Sequence, residues 1–384
     1  MRPCFPATSC RRWGCALLVA LVTLPPLAVA QEAAAPLDDF IASYAKDHGF
    51  SGTVLVRQDG QRRYLRSFGM ADLTHGVANT PDTRYWIASI SKLFTAALVL
   101  QLHEQGRLDL QAPITTYLPE CTGAGTRDVT VHQLLNHTSG LRNFDQVASL
   151  EQALAEGMPS YQLPHTAAQL ARDFCNGPRV HPPGTSFDYD NGDYLLLGRI
   201  VEHLTGQDFG QALSERILLP LRLADTGLLH HAGIVERLAS TYSYREDLKA
   251  LSNDLPVYPE NWGPAGAMYS TVDDVLAFAD ALFGARLVDR DSLARMLAPG
   301  LDDYGYGLWV YETKVGDGRL RVAKRPGRIM GAQAQLYRFL DRDLTVVILA
   351  NTDGTDLDEF VAKIGRAALG AGSGTTTGVA APAR

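Results

Sequence analysis

The chain has 384 residues, 46% of them hydrophobic, with 35 Lys and Arg set against 42 Asp and Glu. That is enough apolar material for a large core, and a length suited to two or three structural units. The net charge of −7 argues against a nucleic-acid partner, which wants a basic surface.

Residues 1–30 stand apart. They hold Arg2, Arg11 and Arg12, no acidic residue, an apolar run from Cys15 to Leu24, and Ala28-Val29-Ala30 just before Gln31. This is the pattern of a secretory signal peptide. The apolar run is too short to span a bilayer and Pro25-Pro26 interrupts it, so the expectation is a periplasmic or secreted protein with no membrane span after cleavage. Its removal takes the net charge to −10 (32 − 42) and leaves only Cys121 and Cys175 of the five cysteines. An exported protein with two cysteines can form one disulfide, but sequence alone does not place the pair within reach.

The predicted elements then follow in order. A helix runs from about Leu37 to Lys46, and strands Gly52 to Val56 and Tyr64 to Phe68 flank Asp59-Gly60, a hairpin signal. The stretch from Ser89 to about Glu104 is apolar nearly all round, the mark of a buried helix. A long middle region, about 110 to 295, reads as mostly helical and is broken by Pro and Gly loops, with a capped helix start at Thr271. Strands return at Gly307 to Glu312, Arg319 to Lys324, Ala334 to Phe339 and Leu344 to Ala350, with turns short enough to require antiparallel pairing. A helix from Leu357 to Leu369 closes the order, and the Gly/Thr/Ala/Pro tail 370–384 is expected to be disordered. Strands at both ends with helices between them imply one α+β domain over 31–369. Its antiparallel sheet is built from N- and C-terminal segments and flanked by helices, and it carries the mostly helical insertion.

Two segments carry candidate chemistry. Ser89-Ile90-Ser91-Lys92 puts a hydroxyl and an amine one helical turn apart, so the amine can take the hydroxyl's proton and activate it. Ser43-Tyr44-Ala45-Lys46 has the same spacing, but Ser43 sits in a polar amphipathic stretch, whereas Ser89 stands at the start of a buried helix. Unsatisfied N–H groups and the positive dipole end there favour negative charge developing on a substrate oxygen. Tyr189-Asp190-Asn191 is the sole Tyr-x-Asn, between the loop His181-Pro182-Pro183-Gly184 and the apolar segment Tyr194 to Gly198. A tyrosine next to a lysine ammonium becomes a usable base. The histidines are scattered, and His230-His231 lacks the further ligands a metal site wants.

In order along the chain stand Ser89-Ile90-Ser91-Lys92, Leu134-Leu135-Asn136-His137-Thr138-Ser139-Gly140-Leu141, Phe187-Asp188-Tyr189-Asp190-Asn191, and a late strand ending Ile348-Leu349-Ala350-Asn351. With these four segments the sequence resembles the serine β-lactamase and penicillin-binding-protein superfamily, in its class C-like branch of D,D-peptidases, esterases and β-lactamases. The resemblance covers about 37 to 369. It implies a cofactor-free, metal-free acyl-serine mechanism in which Ser89 attacks the carbonyl, while Lys92 and Tyr189 share the general-base and acid work in an order left open. It also implies that Asn191 hydrogen-bonds the substrate amide and orients Lys92, that the backbone N–H groups of Ser89 and Arg328 hold the oxyanion, and that His137 is structural. The family's third motif is altered: Lys324-Arg325-Pro326-Gly327, followed by Gly331, puts Arg325 at the cationic position and Gly327 at the first glycine. Arginine can clamp a substrate carboxylate bidentately but cannot give up a proton, and Pro326 removes a strand N–H. The expectation is an exported serine hydrolase acting on D-alanyl peptides of peptidoglycan type, small esters or β-lactams. The alternative is a penicillin-binding sensor or degenerate homologue that binds or is acylated without turnover.

Overall fold

The computed structural model describes residues 35–370 apart from 144 and 146–148. The expected signal peptide, 1–30, and all but the first residue of the expected tail lie outside the described residues. Helix α1 (Ala35–Asp47) leads into strands β1 (Gly52–Gln58) and β2 (Gln61–Phe68). Asp59 and Gly60 between them take positive φ of 50° and 72°, the geometry that matches a hairpin turn to the strands' right-handed twist. Helix α2 (Ser91–Glu104) crosses the core, and the middle of the chain contributes the helices α3 (Asn191–Thr205) and α4 (Val272–Phe283). Strands β3 (Trp309–Val315), β4 (Gly318–Ile329), β5 (Ala332–Phe339) and β6 (Leu344–Ala350) precede helix α5 (Leu357–Ala368).

The six strands form one sheet in the order β3-β4-β5-β6-β1-β2, every neighbour antiparallel. Strand β1 pairs with β6 from Gly52↔Ala350 to Gln58↔Leu344, so the two ends of the chain complete a single sheet as expected. Both faces are covered, which explains why every residue of β6 is buried and all but Thr345 are apolar. Leu344, Val346 and Ile348 face Leu37, Ile41, Phe360 and Ile364 of α1 and α5. Val347 and Leu349 face the opposite core around α2, with Leu93, Phe94 and Leu98. Pro326 does not interrupt the β4–β5 register, which runs through Pro326↔Gln335 without a shift.

The middle region is less purely helical than its sequence implies. Tyr85–Trp86, Met268–Ser270 and Gly227–Leu228 form a small three-stranded sheet, and Tyr242–Arg245 pairs with Ala250–Asn253. Strands of two to four residues are too short to show an alternation. Cys121 and Cys175 are joined in a disulfide, resolving the open question of the pair. The bond closes a loop of sequence separation 54, tying the end of the helix Ala167–Cys175 to the core. Chain-entropy arithmetic for such a loop gives about 4 kcal/mol, so Cys121→Ser should lower Tm by about 6 °C in a calorimetric scan; an unchanged Tm would show that the bond does not constrain the unfolded chain.

Candidate active site

Ser89 stands at the entrance of the buried helix, in the 3₁₀ turn Ala88–Ile90 that feeds α2, and the α-helix itself begins two residues later than the sequence pattern implies. Ala88 holds a left-handed φ of 46°, uncommon for a residue with a side chain, and this bend turns the chain between Trp86 and the helix. Lys92 stands in the first turn of α2, fully buried, with Nζ 3.2 Å from Ser89 Oγ. It also donates to Asn191 Oδ1 at 2.7 Å and to the Ala265 carbonyl at 2.8 Å. Three acceptors complete the donor set of an ammonium.

Tyr189 and Asn191 arrive from the start of α3. Asp190 caps that helix, its Oδ1 accepting from Gly192 N at 2.7 Å, and so fixes the residues on either side. The Tyr189 hydroxyl lies 2.8 Å from Ser89 Oγ. Burial raises the Tyr189 pKa, but the nearby cations Arg325 and Lys92 outweigh it and bring it down to about 8. Burial also pulls Lys92 below its ordinary value, with Arg325 acting in the same direction and Tyr189 against it.

Arg325 is where the structure departs most from expectation. Its side chain is 1% exposed and is spent on the protein. Nε donates to the Ser89 carbonyl at 2.8 Å, one terminal nitrogen donates to Tyr304 Oη at 2.8 Å and to the Gly307 carbonyl at 3.2 Å, and the other makes a short bond to Tyr189 Oη. A guanidinium committed in this way is a fixed charge under the tyrosine, not a free clamp for a carboxylate in the cleft. Gly327 sits where β4 meets the turn that carries Ser89: a Cβ there would come 2.5 Å from the Ile87 carbonyl and 3.1 Å from Ser89 N. Only glycine lets the strand approach that closely. The following residue, Arg328, donates from its side chain to Gln333 Oε1 at 3.2 Å.

These contacts bring Ser89, Lys92, Tyr189, Asn191, Arg325 and Gly327 together, with Arg328 next in β4, and further groups join them that the sequence did not single out. Asp145 accepts from Asn191 Nδ2 at 2.7 Å. Tyr161 Oη lies 3.5 Å from the same nitrogen, and its ring stacks on Trp262 with centroids 3.5 Å apart. Asn191 is thus engaged at both ends of its amide, accepting from Lys92 and donating to Asp145. Burial pushes the Asp145 carboxyl up, opposed by its bond to Asn191 and by the Lys92 charge. Asp145 gave no signal because it sits in an irregular loop with no motif spacing, and Ala265 contributes a carbonyl that any residue could supply.

Several known proteins are similar to this chain. It is 29% identical to a putative penicillin-binding protein PbpX of Bacillus subtilis, over 70% of this chain and 64% of that one. It is 28% identical to a D-aminopeptidase of Brucella ovis, over 87% of this chain and 62% of that one. This chain thus spans less than two thirds of the length of either relative. Among solved structures, a D-amino acid amidase from Ochrobactrum anthropi SV3 complexed with D-phenylalanine superposes with a TM-score of 0.72 at 25% identity, covering 89% of this chain and 98% of that one. A penicillin-binding protein from Bacillus halodurans gives a TM-score of 0.72 at 27% identity, covering 85% and 98%. No helix among the described residues is long and apolar enough to cross a membrane. The Beta-lactamase family model matches residues 37–371, nearly the whole of the described structure, and the chain belongs to that family.

Proposed function

We propose that the chain is an exported acyl-serine hydrolase that cleaves small amides of D-amino acids carrying a free α-amino group. The observation that carries the reaction type is the triangle at Ser89 Oγ, with Tyr189 Oη at 2.8 Å and Lys92 Nζ at 3.2 Å. Because the acceptors around Lys92 suit its charged form, Tyr189 takes the base role as a phenolate held between Lys92 and Arg325. Ser89 gives its proton to Tyr189 as Oγ bonds to the substrate carbonyl carbon. The negative oxygen is received by the backbone N–H groups of Ser89 and Arg328. The C–N bond then breaks as the leaving amine takes the proton from Tyr189. Water repeats the sequence on the acyl-serine, giving one proton to Tyr189 and releasing the acid, while Ser89 recovers its own.

Asp145 supports the substrate reading. Asn191 Nδ2 donates one of its two N–H groups to Asp145, which sets a carboxyl acceptor beside the group that would meet the acyl part of a substrate. A substrate ammonium would satisfy it and relieve the cost of holding a carboxylate out of water. The D-aminopeptidase and D-amino acid amidase relatives supply the stereochemistry. Asp145→Asn should lower kcat/KM on a D-amino acid amide by about 10- to 150-fold, as expected for a lost charge-assisted bond, and leave the N-acetylated amide unaffected. Equal losses on both would place Asp145 in the scaffold.

The altered third motif favours one rival, a receptor acylated without turnover. Intact mass after brief incubation with a penicillin, an activated ester and D-phenylalanine amide separates the two. A transient adduct with product release supports the hydrolase, whereas a persistent adduct and no product would replace it with the receptor. Turnover of D-alanyl peptides, esters or β-lactams in preference to the amide would overturn the substrate class and keep the mechanism.

A further inference from the structure

Beneath Tyr189 lies a second buried group of side chains that the proposed reaction does not use. His137 is fully buried, at a left-handed φ of 56°, in the turn after the helix Val131–Leu135. Three contacts tie it to the loop carrying the tyrosine. Its carbonyl accepts from Asp188 N at 2.9 Å, its ring packs on the Tyr189 ring with centroids 4.5 Å apart, and its Nδ1 accepts from Asp190 N at 3.3 Å. The same Nδ1 lies 3.0 Å from Asp193 Oδ2, one turn into α3. Nδ1 has room for one strong in-plane hydrogen bond, and the shorter of its two contacts, to Asp193, is the one in which a single proton is shared between ring and carboxyl.

Resting on the assignment of Tyr189 as base, we infer that His137 is a positioning residue for Tyr189. Its carbonyl and its ring hold the backbone on both sides of the tyrosine, at Asp188 and Asp190, and with Asp193 sharing one proton at Nδ1 it gives that loop a floor without net charge. The surroundings agree. Burial pushes the Asp193 carboxyl well up, and Asp190 beside it likewise. Burial, then Lys92 and Arg325, hold His137 well below its ordinary value and hence neutral. The other ionisable groups facing the ring are Tyr194 and Tyr304, with centroids 5.1 Å away in each case, and burial keeps both phenols protonated. An ionised Asp193 here would oppose the Tyr189 phenolate; a neutral one leaves Lys92 and Arg325 unopposed on this side.

The test compares three variants on whichever substrate the enzyme turns over, with Tm recorded for each. His137→Ala should lower kcat by about 100-fold with KM nearly unchanged, the scale of a misplaced catalytic group, and move the acid limb of the rate to higher pH as Tyr189 loosens from its cations. His137→Asn keeps an acceptor at this position and tolerates the left-handed backbone, so it should recover most of that loss. Asp193→Asn replaces the acid O–H with an amide N–H, and the acid limb should stay where it stands in the parent. A fall of that limb to lower pH in Asp193→Asn would show that Asp193 is ionised and overturn the neutral floor. Equal losses in His137→Asn and His137→Ala at matched Tm would overturn the positioning role. If His137→Ala does not fold, His137→Asn and Asp193→Asn still decide. Failure of the underlying assignment is recognised separately, because Tyr189→Phe would then keep the acid limb.

Discussion

Ser89→Ala should abolish covalent labelling by a fluorophosphonate or penicillin and lower turnover by about 10⁴-fold or more, the scale for deleting a nucleophile that works as part of a unit. No neighbouring hydroxyl can take over. Ser91 is buried and engaged at both ends of its hydroxyl, donating to the Ala88 carbonyl at 2.6 Å and accepting from Met268 N at 3.2 Å. Ser43, which shares the Ser-x-x-Lys spacing, is on α1, and its Oγ donates to Asp47 Oδ2 at 3.2 Å on the exposed face. Ser43→Ala should label as the parent does. Labelling that survives Ser89→Ala and disappears in Ser43→Ala would show that the nucleophile has been misplaced. The geometry favours Ser89 because, among the serines of the described residues, its oxygen alone has both a tyrosine and a lysine within hydrogen-bond reach, next to a strand whose Gly327 clears the approach.

The parts of this molecule legible in the sequence are those in which one local pattern decides the outcome. Asp59-Gly60 specifies its turn through backbone conformation alone. The apolar run after Lys92 can only be buried, and the β6 run Leu344–Ala350 is recovered residue for residue because both of its faces are covered. Local patterns began the α-helix two residues early, at Ser89, since a 3₁₀ segment before an α-helix has the same composition as the helix itself. They also could not reveal how Arg325 is used. Spacing put a cation at that strand position, but its direction depends on Ser89, Tyr304, Gly307 and Tyr189, groups distant in sequence that together take four of its five N–H donors. Asp145 was illegible for a related reason: its meaning comes from Asn191, 46 residues away, and from nothing beside it. The disulfide, similarly, needs the fold to bring Cys121 and Cys175 together.

Tyr189→Phe and Lys92→Met should each slow acylation by at least about 100-fold, the low end for losing a positioned acid or base, and the double variant should lose far less than the product of the two. The non-additivity follows from the proposed division of labour: the lysine acts largely by holding its neighbour's phenolate, so once the phenol oxygen is gone the ammonium has less to stabilise. Multiplicative losses would mean independent roles. The pH dependence tests the same arrangement from another side. Tyr189 works as a base only when deprotonated, so with its pKa at about 8 the kcat/KM profile should rise through that region and level off above it. Removing a nearby positive charge makes the phenolate harder to form. In Arg325→Met, where the larger of the two cationic influences is lost, the rise should therefore move to higher pH, and Lys92→Met should shift it in the same direction by less. Here the fixed-charge role and the carboxylate clamp expected from the sequence give opposite results. A clamp would leave the profile in place and raise KM for carboxylate-bearing substrates alone, whereas a charge seated under Tyr189 moves the profile for neutral and anionic substrates alike.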